Sequence, residues 1–311
     1  MPDAMMQPAP ANSAPQCTAA FTSHRGPLIS VCIPVFNGER YIAEAIESVL
    51  TQTCQDFEIV ISDNCSTDNT LAIIRSYNDP RIRCFSNSAN LGQAVNLRRA
   101  LELPRGKYCK ILCADDFLYK DCLKVQAEIL EKPENQSVVL VFCRRDVVGH
   151  NGEHVMTWGY PGRSGRRSGA AIVRKCIHYS SNLIGEPPCF MFRTAILQSG
   201  RIVSDLDLPF CADLLLHGDG YSISEPHCAF RLSDISLTVQ ETYENKGWLR
   251  KSFLEFIECM RTDPHFRKHG ISWIDSAIGR TMIRITPLLR RIVYRLAIKG
   301  SPRPQDVASR R

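Results

Sequence analysis

Cys113-Ala114-Asp115-Asp116 closes the apolar run Lys110-Ile111-Leu112 and sets two adjacent carboxylates where a buried strand would emerge. Ligands of open α/β sheets gather at such strand ends, and hard cations such as Mg2+ or Mn2+ take oxygen ligands shared with substrate phosphates. The expected chemistry is therefore metal-assisted handling of a nucleoside diphosphate compound, with Asp115 and Asp116 as the acidic residues. An Asp-Asp pair by itself is most often a solvated turn or helix start, so the elements around this one decide its reading.

Upstream, residues 28–34 (Leu-Ile-Ser-Val-Cys-Ile-Pro) read as a buried strand that stops at Pro34, which has no amide hydrogen for a ladder. A loop, Val35-Phe36-Asn37-Gly38-Glu39, leads to a helix between Glu39 and Thr53 with Ile42, Ala45, Ile46, Val49 and Leu50 on one face. Residues 57–62 form a second strand, ending in the polar loop Asp63-Asn64-Cys65-Ser66-Thr67-Asp68, where Asp68 or Asn69 caps the helix carrying Leu71, Ile73 and Ile74. A third strand, residues 82–85, passes through Asn87, Asn90 and Gly92 into a helix over 93–103, and residues 108–112 supply the fourth strand. Strand and helix alternate from 28 to 131, the pattern of an α/β domain with a mainly parallel central sheet and helices on both faces.

Taken together, Pro34 to Glu39, Asp63 to Asp68, Asn90-Leu91-Gly92 and Ala114-Asp115-Asp116 resemble, in order and spacing, the successive motifs of the bacterial family-two glycosyltransferases with a GT-A-type fold. The resemblance is dense over 28–131, thinner over 180–240 and absent at both ends. It implies that Pro34, Phe36, Asn37, Glu39, Asp63, Asn90, Gly92 and Asp115 bind the nucleotide, Asp63 accepting from the uracil N3. The family's aspartate-x-aspartate falls on Cys113-Ala114-Asp115. Cys113 therefore stands at the first aspartate; it is read as a small buried hydrophobe, leaving Asp115 and Asp116 to hold Mn2+ or Mg2+.

An inverting transfer also needs a base for the acceptor hydroxyl. The resemblance puts that role on Asp213 in Phe210-Cys211-Ala212-Asp213-Leu214, with Asp205 and Asp207 as runners-up; the bland alternative for Asp213 is a helix N-cap. Residues 185–193 match the segment that shapes the acceptor side. Arg193 is open to a phosphate, a carboxylate or a capping role, and Arg231 to a diphosphate contact. The implied reaction moves a sugar from a nucleotide-diphosphate donor, a UDP-sugar, to a saccharide or lipid-linked acceptor in cell-surface polysaccharide biosynthesis. A GT-A-type module that binds nucleotide sugar or glycan without turnover is the alternative, and nucleotidyl transfer a third reading disfavoured by a first loop that is neither basic nor Gly-rich.

The 311 residues, 44% hydrophobic and 23% charged, suffice for one α/β core with additions. Residues 1–26, rich in Pro, Ala, Ser and Gln, are expected to be a disordered tail, 27–240 the catalytic domain (27–131 nucleotide-binding half, 132–240 acceptor half), and 241–311 a basic helical extension. Within the extension, helices are expected over 246–260 and 271–298, the second interrupted at Pro287. Residues 271–311 hold nine Lys and Arg against Asp275 and Asp306, a surplus of seven that exceeds the +6 of the whole chain. This local basic, amphipathic stretch suits either peripheral contact with an anionic membrane or ordinary packing with a solvated basic face.

No apolar run reaches the roughly 20 residues that span a bilayer, and no secretory signal is recognisable, so a cytoplasmic enzyme, peripheral at the inner membrane face, is expected. The fourteen cysteines are scattered through apolar strands, which favours reduced thiols. His150-Asn151-Gly152-Glu153-His154 has inverted zinc-protease spacing but contains the turn dipeptide Asn151-Gly152, so a hairpin is expected there. Residues 159–167 read as a mobile basic loop, a flap over the donor. No DNA-reading helix or RNA-stacking motif stands out, so nucleic acid is not an expected partner.

Overall fold

The structure, a computed structural model, describes residues 26–199, 207–232, 248–262, 264–268 and 270–283. The expected N-terminal tail up to residue 25, Asp205 and Pro287 lie outside the described residues. Strands β1 (Ile29–Val35), β2 (Phe57–Asp63), β3 (Ile82–Ser86) and β4 (Tyr108–Ile111) form the parallel run β3-β2-β1-β4. All seven residues of β2 and six of seven in β1 are buried, the signature of strands covered on both faces. Helices α1 (Ile42–Leu50), α2 (Thr70–Ser76), α3 (Gln93–Glu102) and α4 (Cys122–Glu131) make the crossovers. Helix α1 starts three residues later than the pattern suggests, because the Gly38 carbonyl closes a turn on the Tyr41 and Ile42 amides.

Beyond β4 the sheet becomes mixed. Strand β9 (Phe190–Arg193) inserts antiparallel between β4 and β6 (Val138–Val148), and β10 (Asp219–Arg231) runs parallel to β6. The short β5 (Phe117–Leu118) closes the order antiparallel to β10. The turn at Asn151-Gly152 is the expected hairpin: β7 (His154–Trp158) folds back on β6, with Gly152 at φ +86°. The expected loop over 159–167 is corrected in its second half. Gly165–Ser168 forms β8 on the flank of β10, and Arg167 donates to the Ser222 hydroxyl and to the Gly165 and Arg163 carbonyls, so this stretch is stitched to the sheet.

Helices α5 (Gly169–Tyr179) and α6 (Asp207–Leu215) follow, then α7 (Trp248–Thr262), α8 (Pro264–Lys268) and α9 (residues 273–283). Ile274 and Ile278 lie at helical spacing in α9 but do not form its docking face. The buried residues are Asp275, Ser276 and Ile283, with Gly279 between them, whereas Ile274 and Ile278 point outward. Gly279 permits this approach: a Cβ there would lie 2.8 Å from Ile177 Cγ2 and 2.9 Å from Ile257 Cδ1. Asp275 accepts from the Ser272 amide and meets the His178 ring at 2.7 Å, and the Ser180 hydroxyl donates to the Gly279 carbonyl.

Candidate active site

The acidic residues lie on the turn that leaves β4, where the Asp116 amide donates to the Cys113 carbonyl. The Cys113 sulfur and one carboxylate oxygen each from Asp115 and Asp116 lie within 4.8 Å of one another. Cys113 is half-buried, more open than the buried hydrophobe expected there. Asp116 is 2% exposed; its Oδ1 accepts from the Arg231 amide at 2.8 Å, while its buried Oδ2 has no hydrogen-bond partner. Burial, and after it the charge of Asp115, push the Asp116 carboxyl well above the usual range, against the opposing pull of Arg231. An open carboxylate oxygen held in that state beside a second carboxylate fits a hard divalent cation, since added positive charge relieves both costs.

Arg231 is what holds this turn in place, which corrects its expected role as a diphosphate contact. Its side chain is 2% exposed. Nε donates to the Asp115 carbonyl at 2.9 Å, Nη1 to the His150 carbonyl at 3.0 Å, and Nη2 to Glu44 at 2.6 Å. Its guanidinium lies over the Tyr41 and the Phe117 rings, 4.6 and 5.3 Å from their centroids. One cation thus ties together the acidic turn, α1, the β6–β7 hairpin and the end of β10. Arg193 is likewise structural: it donates to the Val138, Leu130 and Asn135 carbonyls, closing α4 onto β6.

The loops after β1, β2 and β3 meet at the same sheet edge. The Asn37 side-chain oxygen accepts from the Thr67 amide, the Asn37 amide donates to Ser66, and the Gly38 amide donates to Thr70. Glu39 accepts from the amide and side chain of Asn69, and Asp68 accepts from the amides of Glu39 and Thr70. Asn69 is the N-cap position of α2 but makes no side-chain cap bond, and it is Asp68, one residue earlier, that accepts from the first helical amide. Burial raises its pKa, but the Thr70 and Glu39 hydrogen bonds outweigh that and leave it below the ordinary value. Gly38 brings this loop onto the acidic turn, where its Cβ would stand 3.5 Å from the Ala114 methyl.

Asp63 closes β2 at 1% exposure and accepts from the Ser66 amide. Next to it, Asn64 donates to the Asn90 side chain and accepts from Asn87 and the Leu91 amide, while Asn90 accepts from the Gly92 amide. Gly92 begins α3 with φ +81°, a conformation few other residues adopt. Pro34 sits within β1, and Phe36 projects from the loop beyond it at 45% exposure.

Asp213 is the seventh residue of α6 and half-buried, so it is not the N-cap of that helix. Phe210 seats α6 on the sheet, its ring 5.5 Å from Phe192 and 6.1 Å from Phe190. Asp207 is the first residue of α6. Sequence reasoning missed Glu44, Tyr41, Arg145 and Glu186. Arg145 meets Glu186 at 2.6 Å, and the charge of Glu186 also acts on Asp116. The charged run Arg144-Arg145-Asp146 between apolar stretches of β6 was the available signal.

A parallel α/β edge where three loops converge on an acidic, cation-compatible turn is the candidate active site of this α/β domain. The glycosyl transferase family 2 model matches residues 30–200, and the chain belongs to that family. It is 33% identical to chondroitin synthase of Escherichia coli over 162 residues, 51% of this chain and 23% of the synthase. It spans 37%, 37% and 62% of three further curated relatives.

Among solved structures, Staphylococcus aureus TarS 1–349 in complex with UDP-GlcNAc superposes with a TM-score of 0.61 at 21% identity, covering 82% of this chain and 71% of that 1–349 chain. The mannosyltransferase PcManGT of Pyrobaculum calidifontis, in complex with GDP-Man and Mn2+, gives 0.57 at 16% identity, covering 92% and 79%. These likenesses establish the GT-A glycosyltransferase fold.

Proposed function

We propose that the chain is an inverting, metal-dependent glycosyltransferase that moves a sugar from a UDP-linked donor to a saccharide or lipid-linked acceptor in cell-surface polysaccharide assembly, working in the cytoplasm. The observation that carries this reading is the buried, unpartnered Asp116 Oδ2 beside Asp115 at the edge where the β1, β2 and β3 loops converge. UDP-GlcNAc in TarS and GDP-Man with Mn2+ in PcManGT support a nucleotide-sugar donor on the same fold. Residues 27–131 act as the nucleotide half and 132–240 as the acceptor half.

Phe36 offers an exposed ring to the base, and Asp63 has carboxylate lone pairs beyond the one met by Ser66 with which to accept from a uracil N3. Pro34, Asn37, Glu39, Asn90 and Gly92 shape the surrounding loops. Asp115 and Asp116 would hold Mn2+ or Mg2+, which when bound would supply positive charge to offset the negative charge developing on the leaving diphosphate. Asp213 takes the proton of the acceptor hydroxyl as the bond from that oxygen to the anomeric carbon forms and the bond to the diphosphate breaks, so UDP leaves and the configuration inverts.

Calorimetric titration with UDP, GDP and CDP, each with and without Mn2+, tests the donor site. Metal-dependent UDP binding that disappears in Asp115→Ala/Asp116→Ala is expected; no binding of any nucleotide overturns the transferase reading. Asp213→Asn should keep UDP binding and lose turnover by about 10²-fold or more, the usual contribution of a positioned base. Full turnover in that variant would remove Asp213 from the chemistry.

A further inference from the structure

Helix α9 turns an apolar face outward. Trp273 is 71% exposed, Ile274 51% and Ile278 39%, and together they cover one side of the helix, opposite Asp275, Ser276 and Gly279. Tyr179, between two residues that bond α9, is 50% exposed. Single exposed apolar residues are ordinary, but a tryptophan and two isoleucines on one helix face mark an interaction surface.

The surroundings of this face are basic. Arg267, Lys268 and Arg280 are exposed, and Arg174 donates to the Gly270 carbonyl where the chain enters α9. The neighbouring acids are engaged, Asp275 with His178 and Arg174, Glu258 with Arg261 and Arg280. From residue 284 to the C-terminus the sequence adds eight Lys and Arg against Asp306 alone. A second copy of the chain would bring two basic rims together, which opposes self-association. Indole and phenol side chains favour the headgroup level of a bilayer, and cations beside them favour anionic lipid.

We propose that the Trp273–Ile274–Ile278 face of α9 seats the protein on an anionic lipid leaflet, the apolar side chains entering the headgroup boundary and the surrounding arginines and lysines pairing with lipid phosphates. The face is built from residues other than those of the acidic turn, and its test requires no turnover.

The full chain is sedimented with phosphatidylcholine vesicles and with vesicles containing about 30 mol % phosphatidylglycerol, an anionic leaflet of the kind that attracts basic segments. Partition onto the anionic vesicles, weakened by added salt, is expected, together with a blue shift of tryptophan emission that Trp273→Phe removes. Trp273→Ser/Ile274→Ser/Ile278→Ser should lower partition about tenfold or more, since apolar burial and charge act together. An unchanged near-UV spectrum and melting temperature would establish that this variant is folded. Absence of binding by the parent protein overturns the proposal, as does equal binding by a folded triple variant. A dimer that the triple substitution converts to monomer would assign the face to a second copy and also overturn it.

Discussion

At the scale of single residues, Arg231 is the side chain on which the acidic turn depends. Its guanidinium donates to the Asp115 carbonyl and to Glu44 and lies over the Tyr41 and Phe117 rings, while its backbone amide donates to Asp116. Glu44 is half exposed and stays solvated without its partner, but the Asp115 and His150 carbonyls would lose their donor, so Arg231→Met should destabilise the fold by about 1–3 kcal/mol in chemical denaturation. Arg231→Lys keeps the charge but loses the fork that reaches Asp115, His150 and Glu44 together. It should remain folded with weakened Mn2+-dependent UDP binding. Unaltered metal-dependent binding in Arg231→Lys would mean that the turn holds its geometry without this residue.

Among the elements, the β1–α1 and β2–α2 connections act as one piece, because Asp68 accepts from the first amide of α2 at Thr70 and also holds the Glu39 amide. Loss of an acceptor for the free amides at a helix start costs about 0.5–2 kcal/mol, the expected destabilisation of Asp68→Ala. The Asp68 pKa is lowered on folding, so its contribution is fully present above the ordinary carboxylate pKa and is lost as pH falls through the depressed value. The stability gap between parent and Asp68→Ala should therefore be constant at neutral pH and shrink on acidification below about pH 4, near the unfolded aspartate value. A gap that widens in acid would contradict the assigned hydrogen bonds.

Across the whole molecule, the C-terminal helices join the catalytic core through a close approach at Gly279 and the Asp275–His178 contact. A larger side chain at 279 must push Ile177 or Ile257 aside. Gly279→Leu should lower stability by about 1–3 kcal/mol, the usual cost of overpacking. Proteolysis between residues 262 and 283 should accelerate as α9 lifts away. Unchanged protection of α9 would show that the helix can shift without undocking.

The sequence by itself determined the parallel half of the sheet. Its strands are short apolar runs, its helices carry one apolar face, and both signals are local, within a few residues of where they act. It also placed the acidic turn at the end of β4 and the hairpin at Asn151-Gly152, since strand ends and tight turns are marked by residue type.

Tertiary structure alone decided the rest, because each remaining contact joins residues far apart in the chain. Asp116 meets Arg231 across 115 positions, and nothing near either one identifies the other. β9 enters the sheet antiparallel through a register set by both neighbours. In α9 the apolar stripe was legible, but periodicity reports only that two faces differ. Which face docks was settled by the room that Gly279 leaves and by the partners of Asp275.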